Sequence, residues 1–516
     1  MERASSTVKS DQKTPTFIPL CHWFPLASFK SRCISSSSAR LRGFGATANL
    51  PSVAIRAVGK RRAARRRISV GGAAIDTAVR GAQWKVVACA RRASMIWVRR
   101  SAGSFLKSSS SRYSGSAASF SFSSPIAMVL PWPQTPPIPA GDTHSYDYAP
   151  IAGTYWMHSH RGMQEQSLMT APLIVRSAED LRADRQEVVL MLHDFSFQTP
   201  DALLAALTKS NGSQSAMPKG GMGNSMNMHS ESMGAMNAMN MGPGMAMDLN
   251  DVDYDAFLAN DRTLADPEVI RTEPGGRVRL RLINAASSTQ FWIDLGALTG
   301  TVIAVDGHPA RPVRGSRLPL AMAQRLDVLI DLPGNGAYPI FAQVEGKRAR
   351  TGIVLAASGA PVSRLAAEGG ENAPPVDLSL ERRLEAVTPL APRATDVTHR
   401  VILAGAMAPY AWSLNGEYWP NVTPLMIAHG QRVAIEMVNH SMMAHPMHLH
   451  GHAFQVAAIN GAPLAGAVRD TVLVPPMGSV TIAFDADNPG RWAFHCHNLY
   501  HMMTGMMTEV RYPAII

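Results

Sequence analysis

The sequence predicts an all-β fold built from repeated β-sandwich domains, on three observations. Arg277 to Leu282 alternates basic and apolar residues, and Ser479 to Phe484 alternates polar and apolar ones, as half-buried strands do. Runs of this kind are short and broken by Gly and Pro turns, as in stacked antiparallel sheets. The chain also repeats itself. Gly153-Thr154-Tyr155-Trp156-Met157-His158-Ser159-His160 matches Gly490-Arg491-Trp492-Ala493-Phe494-His495-Cys496-His497, with Gly five residues before the first His of a His-x-His in both. A third copy, Gly336-Ala337-Tyr338-Pro339-Ile340, leads into Phe341-Ala342-Gln343 and carries no imidazole. A second repeated element keeps the register: Arg277-Val278 precedes Asn284 as Arg432-Val433 precedes Asn439.

In chain order, 516 residues suffice for about three domains. Residues 1–127 hold 22 Lys and Arg against three acids, a net of +19, whereas the rest holds 27 against 35, a net of −8. The part that reads as folded is therefore mildly acidic, which excludes nucleic-acid binding as its role. Segment 1–127 is rich in Ser, Arg and Ala and reads as disordered, as a targeting leader or as a misassigned reading frame. Arg65-Arg66-Arg67-Ile68-Ser69-Val70 is a faint twin-arginine pattern, with Asp76 interrupting the apolar run behind it. Residues 128–180 hold the first repeat and are only a third to a half of a sandwich in length. A middle domain is expected over 181–357, an Ala/Pro/Glu-rich linker over 358–397 and a last domain over 398–516. No apolar run reaches the roughly 18 residues of a membrane span.

Inside the middle domain, 217–247 carries methionines among Gly, Asn, Ser and Ala, among them Met222, Met226, Met228, Met233, Met236, Met239 and Met241. Gly-Gly, Asn and Gly-Pro-Gly argue against a packed helix face. The segment reads as a solvated insertion, either a low-complexity linker or a thioether trap for Cu(I).

The densest chemistry lies near the carboxyl end. His445-Pro446-Met447-His448-Leu449-His450-Gly451-His452 is followed by His495-Cys496-His497, then His501, Gly505 and Met506. Alternate side chains of a strand face opposite ways, so His495 and His497 point to one side and Cys496 to the other. His448-Leu449-His450 repeats that geometry. Of four cysteines, Cys21, Cys33 and Cys89 fall in segment 1–127, which leaves Cys496 as the one thiol of the folded region. A thiolate, two imidazoles and a weak thioether suit blue copper, with Cys496, His445 and His501 equatorial and Met506 axial.

These two motifs together resemble the copper signatures of multicopper oxidases, and the Met-rich insertion is similar to that of the periplasmic copper-resistance protein A subgroup. The resemblance implies tandem cupredoxin-like Greek-key domains and two centres. One is a type 1 copper that takes electrons, the other a trinuclear type 2 and type 3 cluster that reduces dioxygen to water. It implies that His448 holds type 2 copper and that His158, His160, His450, His495 and His497 hold the type 3 pair. The family's fourth His-x-His has no match here, since His22 and His144 are the only histidines upstream of His158. The first domain is thus expected to be incomplete and the cluster with it. Tyr500 stands where many relatives place a glutamate. The function implied is oxidation of Cu(I), or of phenols, coupled to dioxygen reduction in the periplasm. The alternative is a copper-sequestering protein without turnover. Asp470 reads either as an anchor for a ligating histidine or as a surface turn carboxylate.

Overall fold

The computed structural model describes residues 150–209 and 249–513, together with the backbone of six short strands between 55 and 146. The rest of 1–149 and the methionines of 217–247 lie outside the described residues.

The middle sandwich pairs a six-stranded sheet with a five-stranded one. The first sheet runs Ala256–Ala259, Gln186–Phe195, Arg277–Asn284, Arg325–Asp331, Gly300–Val305 and His308–Gly315. The second runs Val269–Thr272, Arg350–Ala357, Ala337–Val344, Phe291–Asp294 and Arg317–Leu320. Leu190, Leu280, Val302 and Val328 of one sheet meet Phe291, Ile293, Ile340 and Ile353 of the other, all fully buried. Fully burying each such side chain contributes about 1.5–3 kcal/mol, which offsets the entropy of ordering the strands. The last sandwich repeats the plan. Its five-stranded sheet is ordered Leu425–Met426, Met507–Arg511, Arg491–Cys496, His445–Leu449 and Thr471–Val474. Each sandwich opens with a parallel pairing, Gln186–Phe195 on Arg277–Asn284 and Val397–Met407 on Arg432–Asn439.

The repeated Arg-Val…Asn element has a structural cause. Arg277 and Arg432 begin equivalent strands, and Asn284 and Asn439 end them. Asn284 Nδ2 donates to the carbonyls of Thr289 and Leu320, while its Oδ1 accepts from Ala286 N. Asn439 likewise donates to Met443 and Val474 and accepts from Ser441 N. A buried corner whose backbone groups lack ladder partners needs such a side chain.

Ser479–Asp485 buries every second residue, as its alternation predicts. Arg277–Asn284 differs: it is buried on both faces from Leu280 onward. Arg281 is fully enclosed there, paired with Asp327 and Glu187 and donating to Thr154 Oγ1 at 2.8 Å. Gly153–Ser159, in a hairpin with Thr170–Val175, covers the face that alternation left to solvent. The stretch 358–397 also packs down, burying Val376, Leu378, Leu380 and Leu384.

A buried ionic network ties the middle sandwich to the last. Arg325 donates to both carboxylate oxygens of Asp470, at 2.8 and 2.6 Å. Arg469 donates to Asp306 Oδ2 at 3.0 Å and pairs with Glu381. Every member is at most 4% exposed. Asp470 is thus an internal anchor and not a surface turn. Arg325→Ala would leave Asp470 buried without its cation, so it is expected to cost roughly 3–5 kcal/mol in denaturant unfolding of the whole chain. A loss below about 1 kcal/mol, the worth of a surface pair, would contradict this assignment.

Candidate metal centre

Two antiparallel strands carry most of the site. Arg491–Cys496 pairs with His445–Leu449 in the register Met447↔Cys496 and His448↔His495. One face of this pair therefore presents imidazoles, and the other presents the thiol, as the alternation predicts.

On the thiol face, Cys496 Sγ lies 3.7 Å from His445 Nδ1 and 3.7 Å from His501 Nδ1, and the two nitrogens are 3.1 Å apart. All three residues are buried. Asn498 caps the short helix Leu499–Met503, its Oδ1 accepting from Tyr500 N and His501 N, and this turns His501 back onto the strand. Met506 is fully buried and its carbonyl accepts from Cys496 N at 3.1 Å. The far ring nitrogens are engaged: His445 Nε2 with Ser441 Oγ at 2.8 Å and His501 Nε2 with Asp251 Oδ1 at 3.1 Å. Protons on those nitrogens leave both Nδ1 lone pairs bare toward the sulfur, the tautomer a ligating histidine needs. Asp251 also accepts from Tyr410 OH at 2.8 Å and from Asn498 Nδ2. Burial alone would raise its carboxyl, but His501 and these donors hold it below the usual range. Burial pushes the Cys496 thiol up.

On the other face, six imidazoles from three segments meet. His160, His450 and His495 form one group, with His450 Nε2 2.9 Å from His495 Nε2. His158, Glu165 and His497 form a second, and each group's ligand atoms lie within 4.8 Å of one another. His448 stands beside both, its ring centroid 4.6 Å from that of His450 and 5.6 Å from that of His497. Its Nδ1–H donates to the Asp470 carbonyl at 2.9 Å, so the buried ionic network also aims this ring. His495 Nδ1–H donates to the Cys496 carbonyl at 2.9 Å, which leaves Nε2 bare. Nε2 of His158, His160, His448 and His497 is buried with no hydrogen-bond partner. Buried polar atoms are nearly always satisfied, so converging bare nitrogens fit metal ions. Burial, then neighbouring imidazoles, holds His158, His160, His450 and His497 well below the usual histidine range, and brings His495 to about 3. These five rings are neutral at neutral pH, the form in which an imidazole can bind a metal ion.

The structure brings His445, Cys496 and His501 together, with Met506 tied to Cys496 through its backbone carbonyl, and gathers His158, His160, His448, His450, His495 and His497 across the strand. Sequence patterning misses Glu165, Asp251 and Ser441. The carboxylate of Gln164-Glu165-Gln166, five residues past His160, was a visible signal for the first. Asp251 had none, because 247 residues separate it from its partner Asn498.

Cupredoxin-like sandwiches with a buried thiol and imidazoles on opposite faces of one strand define a copper oxidoreductase. Multicopper oxidase family models match residues 186–360 and 392–514. The multicopper oxidase MmcO of Mycobacterium tuberculosis is 33% identical over 396 residues, 74% of this chain and 73% of that protein. The copper resistance protein A of Escherichia coli is 27% identical over 487 residues, covering 72% and 79%. Among solved structures, the multicopper oxidase Fet3p, which functions in iron import, superposes with a TM-score of 0.61 at 18% identity over 78% of this chain and 81% of that one. The chain belongs to the multicopper oxidase family, in its copper-resistance subgroup, and is a copper enzyme.

The depressed imidazoles set a pH dependence for the metal-free protein. Unfolded histidines take protons below about 6.5, whereas the buried ones resist until far lower. The unfolded state then binds more protons, and stability falls as pH drops from about 6.5 toward 3. Denaturant titrations of metal-free protein at stepped pH should show this decline, shallower in His450→Gln. An unchanged slope in that variant would contradict it.

Proposed function

We propose that this protein is a periplasmic oxidase that removes electrons from Cu(I), with phenols as secondary donors, and passes them to dioxygen. In this reading His445, Cys496, His501 and Met506 hold type 1 copper. His448 holds type 2 copper, and His158, His160, His450, His495 and His497 hold the type 3 pair. The observation that carries it is Cys496 Sγ at 3.7 Å from two bare Nδ1 atoms, with its chain neighbours His495 and His497 among the bare nitrogens opposite. Copper bound in these places supplies one-electron chemistry on the thiol side and dioxygen reduction on the imidazole side.

The residues of this chain do the rest. The Cys496 backbone joins the two sides through a few covalent bonds. Asp251 and Ser441 orient His501 and His445, and the Asp470 carbonyl orients His448. Burial of all these groups excludes water from the path. Asp251 follows the Met-rich segment by only four residues and touches His501, which favours Cu(I) over phenols as the donor: a thioether-bound ion there is delivered beside a type 1 ligand. Met442 and Met503 stand exposed beside the same motifs, whereas Met447 and Met507 are buried packing. The faint twin-arginine pattern supports the periplasm. Among the described residues no helix is long and apolar enough to cross a membrane.

The sequestering alternative keeps one supporting observation, a nest of six imidazoles where the family uses eight. Oxygen uptake by copper-loaded protein with Cu(I) as donor separates the two. Turnover that Cys496→Ser abolishes together with the blue absorption band supports the oxidase. Background uptake despite an intact blue band would overturn it. Deleting 217–247 is expected to lower Cu(I) turnover at least several-fold more than phenol turnover; equal losses would contradict a delivery role.

A further inference from the structure

Glu165 occupies an unusual place in the imidazole nest. It lies in the loop 160–169, between the strands Gly153–Ser159 and Thr170–Val175. Its neighbours pin that loop. Gln164 Oε1 accepts from Ser159 Oγ at 2.7 Å. Gln166 Nε2 donates to Asp194 Oδ1 at 3.2 Å, and its Oε1 accepts from Tyr254 OH at 2.8 Å and Tyr500 OH at 3.2 Å. Between two fixed glutamines, the Glu165 side chain is turned inward and is 2% exposed.

Its carboxylate reaches the imidazoles directly, with Oε2 2.6 Å from His158 Nδ1 and Oε1 3.9 Å from His497 Nδ1. The 2.6 Å approach lacks hydrogen-bonding alignment, and His158 Nδ1 has no other partner among the described residues. Glu165 Oε1 and His497 Nε2 are likewise buried and unpartnered. Among the described residues these two imidazoles are the only groups that form ion-pair contacts with Glu165. Burial, then the Asp194 carboxylate, pushes the Glu165 carboxyl well above its usual range, and a bound cation would offset the cost of keeping it ionised. The ligand atoms of His158, Glu165 and His497 lie within 4.8 Å of one another, close enough to hold one cation.

We propose that Glu165 is a copper ligand, completing a His158–Glu165–His497 site in which a carboxylate oxygen replaces an imidazole of the His-x-His that the sequence lacks. Two nitrogens and an anionic oxygen suit Cu(II). The proposal rests on the reading of His158 and His497 as ligands. It also resolves a difficulty in that reading, because a site short of imidazoles gains a donor already in place.

The test compares the copper-loaded full chain with its Glu165→Gln and Glu165→Ala variants, by copper content, chelator competition and the carboxylate bands of the infrared spectrum. Glutamine keeps the size and an acceptor for His158 but removes the anion. The expected result is loss of one copper per chain, or a fall of at least about tenfold in the affinity for it. The blue band of Cys496 should persist, and a copper-induced carboxylate shift should be present in the original protein and absent from Glu165→Gln. If Glu165→Ala does not fold, the glutamine variant and the infrared shift decide alone. Unchanged copper number and affinity in Glu165→Gln would overturn the proposal and make Glu165 a positioning residue for His158. Copper at the blue site alone in the unsubstituted protein would instead overturn the ligand reading beneath it.

Discussion

The pairing of Arg491–Cys496 with His445–Leu449 is the constraint on which the site depends. Its register sets His448 opposite His495 and Met447 opposite Cys496. A slip of one residue would exchange the faces, sending the thiol among the imidazoles and the imidazoles toward the sulfur. The register is held from both sides. Thr471–Val474 pairs with His445–Leu449, and Met507–Arg511 pairs with Arg491–Cys496, so neither strand is an edge that could drift. Ladder hydrogen bonds at fixed spacing thus set the separation of two chemistries that share one residue's backbone.

The second support is electrostatic. Asp470 begins no strand of its own, yet its carboxylate binds Arg325 of the other sandwich while its carbonyl takes the proton of His448. The domain interface and the aim of a ring are one object. Asp251 plays the matching part on the thiol side, reaching from the middle sandwich to His501. The thiol side therefore takes one of its orienting groups from across a domain boundary, while Asp470, which aims His448 within the last sandwich, is itself held from across one by Arg325. The imidazole nest takes actual side chains from there too, through His158 and His160.

Much of this was legible in the residues. Period-two alternation along Arg491 to His497 and the repeated His-x-His set seven side chains, Cys496 to one side and six imidazoles to the other, because strand geometry leaves them little choice. The Asn284 and Asn439 repeat marked matching sheet corners. What sequence could not show is what depends on distant approach. Arg281 reads as a solvent-facing strand residue and is enclosed, because a hairpin from over 100 positions earlier lies on it. Asp470 was open between two readings until Arg325 met it. Glu165 stood close behind His160 in the sequence, but a carboxylate in a loop has no periodicity to give its direction, and only the folding of that loop turns it inward.

The ionic bridge also fixes an order of assembly. A growing chain presents the middle sandwich, with Asp306 and Arg325, before Arg469 and Asp470 have been synthesised. Those early charges await their counterparts, and His158 and His160 wait longer still, for His495 and His497. The nest that joins His158 and His160 to His450, His495 and His497 can close only once the strand Arg491–Cys496 has been made, so a chain still short of that strand cannot hold an ion there in the finished form.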